Sequence, residues 1–387
     1  MKNSFPAIQG FEIVKLIGRG GMGSVYLARQ LSLNRPVAIK ILPASMAANS
    51  SYVMRFQQEA RAAAKVKHPS LVQIYDAGEE HELFYYVMEY INGETTAQRV
   101  VRKGRLDEKN ALLIAESVAV ALEHAWAEAR LVHRDIKPDN ILIDGDGTVK
   151  VADLGLAKMI DQSAMAITIS RSIIGTPHYC APEQVRGESR VDCRADIYAL
   201  GATLYHYIVG HAPFADTSGV SAMVRSLTDY VPDPMDCHPD VSEYVAWLIE
   251  KMMAKDRNDR QRNWHEVLDD IDRCMEGRFP VSMPLPPRAS TILRSEWRSR
   301  NARASFVPVP PLSSPVEAEE TAEDRESVAA SASRHFRIFL AIAAVFTVIL
   351  YMIWFHMETK NRFHPVLNPA GNFLKNLFLP QNSGHGS

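Results

Sequence analysis

The sequence predicts an α+β protein with two lobes, a small β-rich N-terminal lobe and a larger helical C-terminal lobe, followed by one transmembrane helix. Three observations predict it. Strand-like apolar runs dominate to about residue 91, helical periodicity dominates from there to residue 275, and an uncharged apolar run occupies residues 338–355. Strands followed by helices are typical of a sheet lobe joined to a helical lobe.

Each predicted element follows from its local pattern. In the first lobe, apolar alternation and bounding turn residues predict strands over residues 11–17, 25–29, 37–42, 71–77 and 84–90. One stretch there, residues 52–65, has helical periodicity. In the second lobe the same periodicity predicts helices over residues 110–129, 191–209, 241–254 and 264–275.

The composition changes near residue 276. Eight prolines between residues 279 and 315 disfavour regular structure and favour an extended linker. An arginine-rich block at residues 288–303 precedes an acidic block at residues 317–326. Opposed blocks of this kind predict a solvated, mutually attracting tether over residues 276–335 rather than a binding site.

Residues 338–355 predict the transmembrane helix. As a helix they would extend about 27 Å, close to the hydrocarbon core of about 30 Å. A buried core helix is the alternative, but the remaining residues, 356–387, are too few for an ordinary domain that could bury it. Arg334 and Arg337 on the N-terminal side place that side in the cytoplasm. We therefore expect a single-pass cell-membrane protein with a cytoplasmic N-terminal domain and a short extracytoplasmic tail.

The overall composition excludes several classes of protein. Across 387 residues, 43 Lys and Arg oppose 45 Asp and Glu, so no basic surplus exists for a nucleic-acid binder. The four cysteines are widely spaced and form no CxxC, which indicates neither a disulfide framework nor a zinc site and fits a reducing compartment. The N-terminus has no secretory signal.

A glycine-rich turn, GRGGMGSV at residues 18–25, joins the first two predicted strands. GxGxxG alone is weak evidence and also occurs in dinucleotide-binding folds, but here a strand follows it, not a helix. Small residues let a backbone approach phosphates closely. Lys40, which ends the VAIK of the next strand, is either an ordinary exposed lysine or a phosphate contact. Glu59, in the predicted helix, is either solvated or the ion-pair partner of Lys40.

The most specific signal is HRDIKPDN at residues 133–140, followed by DLG at 153–155 and APE at 181–183. This set resembles the protein kinases, and the surrounding sequence resembles the transmembrane serine/threonine kinases of bacteria. The resemblance covers residues 11–275. It implies the bilobal protein-kinase fold, transfer of phosphate from ATP to protein Ser/Thr, and Mg²⁺, or alternatively Mn²⁺, as the metal.

The resemblance also implies roles for individual residues. Asp135 would orient the substrate hydroxyl or accept its proton, and Lys137, which indicates the serine/threonine branch, would stabilise the transferring phosphoryl group. Asn140 and Asp153 would bind the metal through oxygen. The implied nucleotide site consists of Ile17, Gly18, Gly20, Gly23, Val25, Ala38, Lys40, Glu59, the gatekeeper Met88, and Glu89 and Ile91, whose backbone groups would bind the adenine edge. Three residues would be structural: Glu183, paired with Arg260, and Asp196, which would brace the catalytic loop.

The segment from Asp153 to Glu183 is long enough to be a regulatory loop. Arg134, beside Asp135, could pair with a phosphate on it. We therefore expect autophosphorylation at Thr168 and Ser170, with one kinase domain acting on a second. Leu154 replaces the usual Phe of its triplet and could change how easily this segment flips between active and inactive packings.

Two other functions remain open: a pseudokinase that binds nucleotide or partners as a scaffold, and a kinase of small molecules. The expected partners are protein substrates, ATP, a second kinase domain and the membrane through one helix, but no nucleic acid.

Overall fold

The computed structural model describes residues 5–20, 23–153, 177–217, 219–281, 285 and 289–294. The predicted transmembrane helix at 338–355, the tail, most of the linker, Leu154, Thr168 and Ser170 lie outside these residues and remain predictions. Within the described part of the chain, no helix is both long and apolar enough to span a bilayer.

The N-lobe is a five-stranded antiparallel sheet with the order β1-β2-β3-β5-β4. Its elements are β1 (Phe11–Gly20), β2 (Gly23–Gln30), β3 (Arg35–Ile41), α1 (Ala44–Ala47), α2 (Ser50–Ala63), β4 (Ile74–Glu80) and β5 (Leu83–Glu89). Strand alternation divides the apolar side chains between the two faces. Ala38 and Met88 pack with Phe56 and Ala60 of α2 on one face. Val37 belongs to the cluster on the other.

The C-lobe is built around one buried helix. In chain order its elements are β6 (Gly93–Thr95), α3 (Thr96–Lys103), α4 (Glu108–Ala129), β7 (Ile141–Asp144), β8 (Val149–Val151), α5 (Pro182–Val185), α6 (Cys193–Val209), α7 (Val220–Thr228), β9 (Val231–Pro232), α8 (Pro234–Cys237), α9 (Glu243–Met252), α10 (Trp264–Met275) and β10 (Ile292–Leu293). Nearly every side chain of α6 is buried, as expected of a helix that is apolar on all sides. α4, α9 and α10 pack against it.

The two-lobe prediction is confirmed, and the predicted helices lie within two residues of those observed. Capping residues explain where the helices begin, because side chains of Asp107, Asp192, Ser242 and Asn263 accept backbone N–H groups at the starts of α4, α6, α9 and α10. The short β6 and α3 were not predicted; α3 begins at Thr95 in a capping box with Gln98.

The end of the domain differs from the sequence prediction. Residues 289–294, assigned to a solvated tether, pack on the C-lobe: Ile292 is 2% exposed and belongs to the main core. Arg294, one of the arginines expected to be solvated, pairs with Glu250, whose side chain is 1% exposed. The ion pair with a buried carboxylate and the burial of an apolar strand hold these residues on the C-lobe in spite of the proline-rich composition. Packing therefore extends past the predicted boundary at residue 275.

Candidate active site

The backbone of the catalytic loop, residues 133–140, is held by one carboxylate from the core of the C-lobe. Asp196, in the first turn of α6, accepts the N–H groups of His133 at 2.6 Å and Arg134 at 2.7 Å. Arg134 has φ +65°, a conformation that costs a residue other than glycine about 1–3 kcal/mol. Burial raises the pKa of Asp196 to about 7, although both N–H donors favour the ionised form. Asp196 therefore occupies the bracing position that the resemblance implied.

Asp135 is held by two side chains of the same loop. Lys137 Nζ donates to Asp135 Oδ2 at 2.9 Å, and Asn140 Nδ2 donates to Asp135 Oδ2 at 3.0 Å and to its backbone oxygen at 2.8 Å. A carboxylate fixed beside an ammonium can orient a hydroxyl group, take up its proton and keep positive charge next to a developing anion. The structure thus brings Asp135, Lys137 and Asn140 together.

Lys40 and Asp153 connect the two sides of the cleft. Lys40 Nζ, from β3, donates to Asp153 Oδ1 at 2.7 Å. Burial alone would raise the pKa of Asp153, but the ammonium of Lys40 outweighs it and holds that pKa below its ordinary value. Glu59 lies in α2, and its side chain is outside the described part of the structure, so its pairing with Lys40 remains a prediction.

Several predicted nucleotide contacts line the N-lobe side of this cleft. Val25 packs against the apolar cluster that contains Ala38 and Met88, and Ile17 is 42% exposed. A Cβ added at Gly20 would meet nothing within 4 Å, and one at Gly18 would meet only Val25, so both positions leave open space. The space at the two glycines leaves the backbone of this turn accessible to a ligand, whereas Ala38 is buried in the cluster beneath Val25.

Gly23 has a structural role that the sequence did not indicate. Its φ is +147°, and a Cβ there would collide with the backbone oxygen of Ile41. The glycine therefore permits close approach of β2 to β3, independently of any phosphate contact.

The connection between the lobes begins at Glu89. Its backbone N–H donates to Gln73 O at 2.9 Å, and its side chain pairs with Lys150 at 2.6 Å. Ile91 lies two residues after Glu89, the last residue of β5, and is buried. Glu89 and Ile91 thus lie at the strand end where an adenine edge is expected.

Tyr86 is a site residue that sequence reasoning missed. Its hydroxyl donates to Asp153 Oδ1 at 3.4 Å, and its ring centroid lies 5.7 Å from Lys40 Nζ. The side chain is 2% exposed and lines a small cavity with Val72, Met88 and Asp153. Alternation along β5 was the available signal, because Tyr86 shares a strand face with Met88.

The residues at the cleft fit a divalent metal and a nucleoside triphosphate. Asn140 uses its Nδ2 on Asp135, and no donor among the described residues reaches its Oδ1. An amide oxygen and the Asp153 carboxylate suit Mg²⁺, which proteins bind through one or two carboxylates together with substrate phosphates. Lys40 would contact those phosphates, and the bound metal would neutralise charge that develops on them.

Glu183 and Arg260 anchor the segment of residues 177–185. Two hydrogen bonds of 2.7 and 2.8 Å join them, and their side chains are 3% and 0% exposed. Arg260 also donates to the backbone oxygens of Ala254 and Arg194. This bidentate pair fixes the start of α5 against the helical core.

Comparison with known proteins agrees with this geometry. The family described as protein kinase domain matches residues 11–270. Among curated proteins, the chain is 40% identical over 277 residues to the serine/threonine-protein kinase PrkC of Bacillus subtilis, covering 70% of this chain and 42% of PrkC. It is 36% identical over 293 residues to the serine/threonine-protein kinase PknB of Mycobacterium tuberculosis, covering 75% of this chain and 45% of PknB. The chain thus spans less than half the length of these curated relatives.

Among solved structures, the kinase domain of Mycobacterium tuberculosis PknI matches 69% of this chain and 97% of its own length, with 27% identity and a TM-score of 0.56.

Proposed function

Because the chain belongs to the protein kinase family, we propose that it is an active serine/threonine protein kinase that transfers the γ-phosphoryl group of ATP to protein hydroxyls. The arrangement of Asp135 carries this proposal, since its carboxylate is held by Lys137 and Asn140 on the same side of the cleft as Asp153. Lys137 in that position and the names of the relatives support serine and threonine, rather than tyrosine, as acceptors.

The proposed mechanism assigns each residue a physical task. Asp135 orients the acceptor hydroxyl and receives its proton as the oxygen attacks the γ-phosphorus, while the bond from that phosphorus to the β–γ bridging oxygen breaks and ADP leaves. Lys137 keeps its ammonium beside the phosphoryl group and neutralises charge there. Lys40 would position the nucleotide phosphates, and Asn140 and Asp153 would hold the metal. Positioning and electrostatic stabilisation account for most of the rate enhancement in this class of reaction.

The test is transfer of labelled phosphate from ATP to casein by the full-length chain and by its Asp135→Asn variant. Label on serine or threonine that the variant does not produce supports the proposal. Nucleotide binding without transfer by the wild-type chain supports the pseudokinase alternative. Transfer to a sugar or other small alcohol but not to protein supports the small-molecule alternative.

We further propose that the kinase domain is cytoplasmic and is anchored to the cell membrane through residues 338–355. The uncharged length of that run and the flanking Arg334 and Arg337 support this topology. Truncation after Ser333 should release the enzyme from membranes with its activity retained. A reporter fused after Ser387 that behaves as cytoplasmic would contradict a single span.

Autophosphorylation at Thr168 and Ser170 is the proposed regulation, carried out between two kinase domains. Arg134 supports it, because a guanidinium next to the catalytic residue can bind a loop phosphate and order the segment. Mass spectrometry of the wild-type chain and of a Thr168→Ala/Ser170→Ala variant tests it. Full activity of a variant that carries no loop phosphate would exclude this regulation.

A further inference from the structure

Residues 289–294 form a strap on the C-lobe, and its backbone joins two separate parts of the lobe. β10 pairs in parallel with β9, with Ile292 opposite Val231. Val231 N–H donates to Thr291 O at 2.8 Å, and Lys255 N–H donates to Ala289 O at 2.9 Å. The strap therefore connects the chain that follows α7 to the chain that follows α9.

Side chains of the strap also bind the C-lobe. Thr291 is 0% exposed, and its hydroxyl donates to Met253 O at 2.7 Å. Arg294 donates to Glu250 at 2.8 Å and lies 4.8 Å from the ring centroid of Trp247. A buried carboxylate is costly without a cation, and Arg294 of the strap supplies one to Glu250 of α9.

Lys255 carries the connection from the strap to α7. Its backbone bonds the strap at Ala289, and its ammonium donates to Thr228 O, at the last residue of α7, at 2.9 Å. The same ammonium lies 4.0 Å from the ring centroid of Tyr230. One residue thus joins the strap to the C-terminal end of α7, where a cation is favourable.

α7 in turn contacts the segment of residues 177–185, which lies beside Asp135, because Gln184 Nε2 of this segment donates to Arg134 O at 3.4 Å. It packs against α5 and against the 3₁₀ turn Pro177–Tyr179. Movement of α7 would therefore displace the surface that receives the acceptor, while Lys40, Asp135 and Asp153 belong to other elements.

We propose that the strap is a positioning element for the protein substrate: through Lys255 and α7 it fixes the acceptor-binding surface. The segment that leads toward the predicted membrane span thereby sets acceptor affinity without contacting ATP. Ile292 and Arg294 are positioning residues in this arrangement. This inference rests on the kinase activity proposed above.

The test uses the full-length chain with Arg294→Gln and with Ile292→Thr. Leu293→Thr is the matched control, because Leu293 is the next residue and is 62% exposed. In both strap variants we expect the KM for casein to rise about 3- to 10-fold, with kcat and the KM for ATP unchanged. Hydrogen exchange at the Val231 amide should become faster in both. The control should match the wild type in every measurement.

Three results would overturn the proposal. Faster exchange at Val231 with an unchanged KM for casein would make the strap purely structural. A parallel change of kcat and both KM values, together with loss of folded protein, would reduce it to general stability. Unchanged exchange in both variants would remove its structural basis. A wild-type chain that transfers no phosphate would instead contradict the proposed function, and exchange at Val231 would still report on the strap.

Discussion

In the cleft, Lys40 and Asp153 meet through one hydrogen bond of 2.7 Å, and Asp153 keeps 32% of its side chain exposed. In the interior of the C-lobe, Arg260 and Glu183 meet through two hydrogen bonds, with side chains that are 0% and 3% exposed. The carboxylate of the cleft pair can exchange partners with a ligand, because part of its side chain is open to solvent. The interior pair cannot, because each charge would be left buried. An ion pair can thus remain available to a ligand in the cleft, whereas an ion pair in the interior of the C-lobe makes the fold rigid.

The largest expected effect tests the cleft side of this comparison. Asp135→Asn should lower kcat for casein phosphorylation by about 10³-fold or more, because the amide cannot accept the hydroxyl proton. The melting temperature should stay near that of the wild type. Asp139→Asn is the matched control, since Asp139 is exposed on the same loop. Substantial activity in a folded Asp135→Asn enzyme would remove Asp135 from the reaction.

The second prediction tests the interior pair. Arg260→Met should lower the free energy of unfolding by about 3–4 kcal/mol, because Glu183 would remain buried without its cation. Arg262→Met is the control, because Arg262 forms an ion pair with Glu266 but is 83% exposed, and such pairs contribute about 1 kcal/mol or less. Denaturant unfolding of the two variants measures the difference. Equal losses would show that burial does not distinguish these pairs.

The third prediction concerns how the stability of the fold depends on pH through His206, a buried imidazole of the C-lobe. Burial, with His211 and His178 nearby, lowers the pKa of His206 to about 4, and its Nδ1 lies 2.7 Å from the Tyr179 hydroxyl. The unfolded chain therefore binds this proton more tightly than the folded one, so stability is complete above pH 6.5 and decreases as the pH falls toward 4. We expect a loss of about 1–2 kcal/mol between pH 7.5 and 5 from this residue. Unfolding of His206→Gln measured at both pH values should show a smaller difference than the wild type does.

The comparison also shows what could be predicted from the sequence. Asp135, Lys137 and Asn140 lie within six positions, so a short motif predicts that they meet. Strand and helix periods predicted both lobes because each element buries one face or is buried on all sides. Asp196 and Arg260 are distant in sequence from their partners, and only the family resemblance identified them.

The strap could not be predicted in this way. Arg294 lies in a proline-rich, arginine-rich stretch, and its contacts with the buried Glu250 and with Trp247 distinguish it from a solvated arginine. Composition describes the average property of a segment, whereas the packing of this segment depends on particular contacts such as the ion pair of Arg294 with the buried Glu250.

The smallest expected effect tests whether the cleft is as exchangeable as its exposure indicates. Asp153 Oδ1 accepts hydrogen bonds from Lys40 at 2.7 Å and from the Tyr86 hydroxyl at 3.4 Å. Tyr86→Phe removes the longer bond and keeps the ring that packs 5.0 Å from Phe56. Because a neutral hydrogen bond contributes about 1 kcal/mol, the Mg²⁺ concentration for half-maximal activity should rise about 3- to 5-fold, while kcat at saturating Mg²⁺ stays near the wild-type value. Tyr85→Phe removes a hydroxyl from the other face of β5 and should change neither quantity. The same shift in both variants, or in neither, would show that Lys40 alone orients Asp153, and the cleft carboxylate would then be freer to exchange partners than the structure indicates.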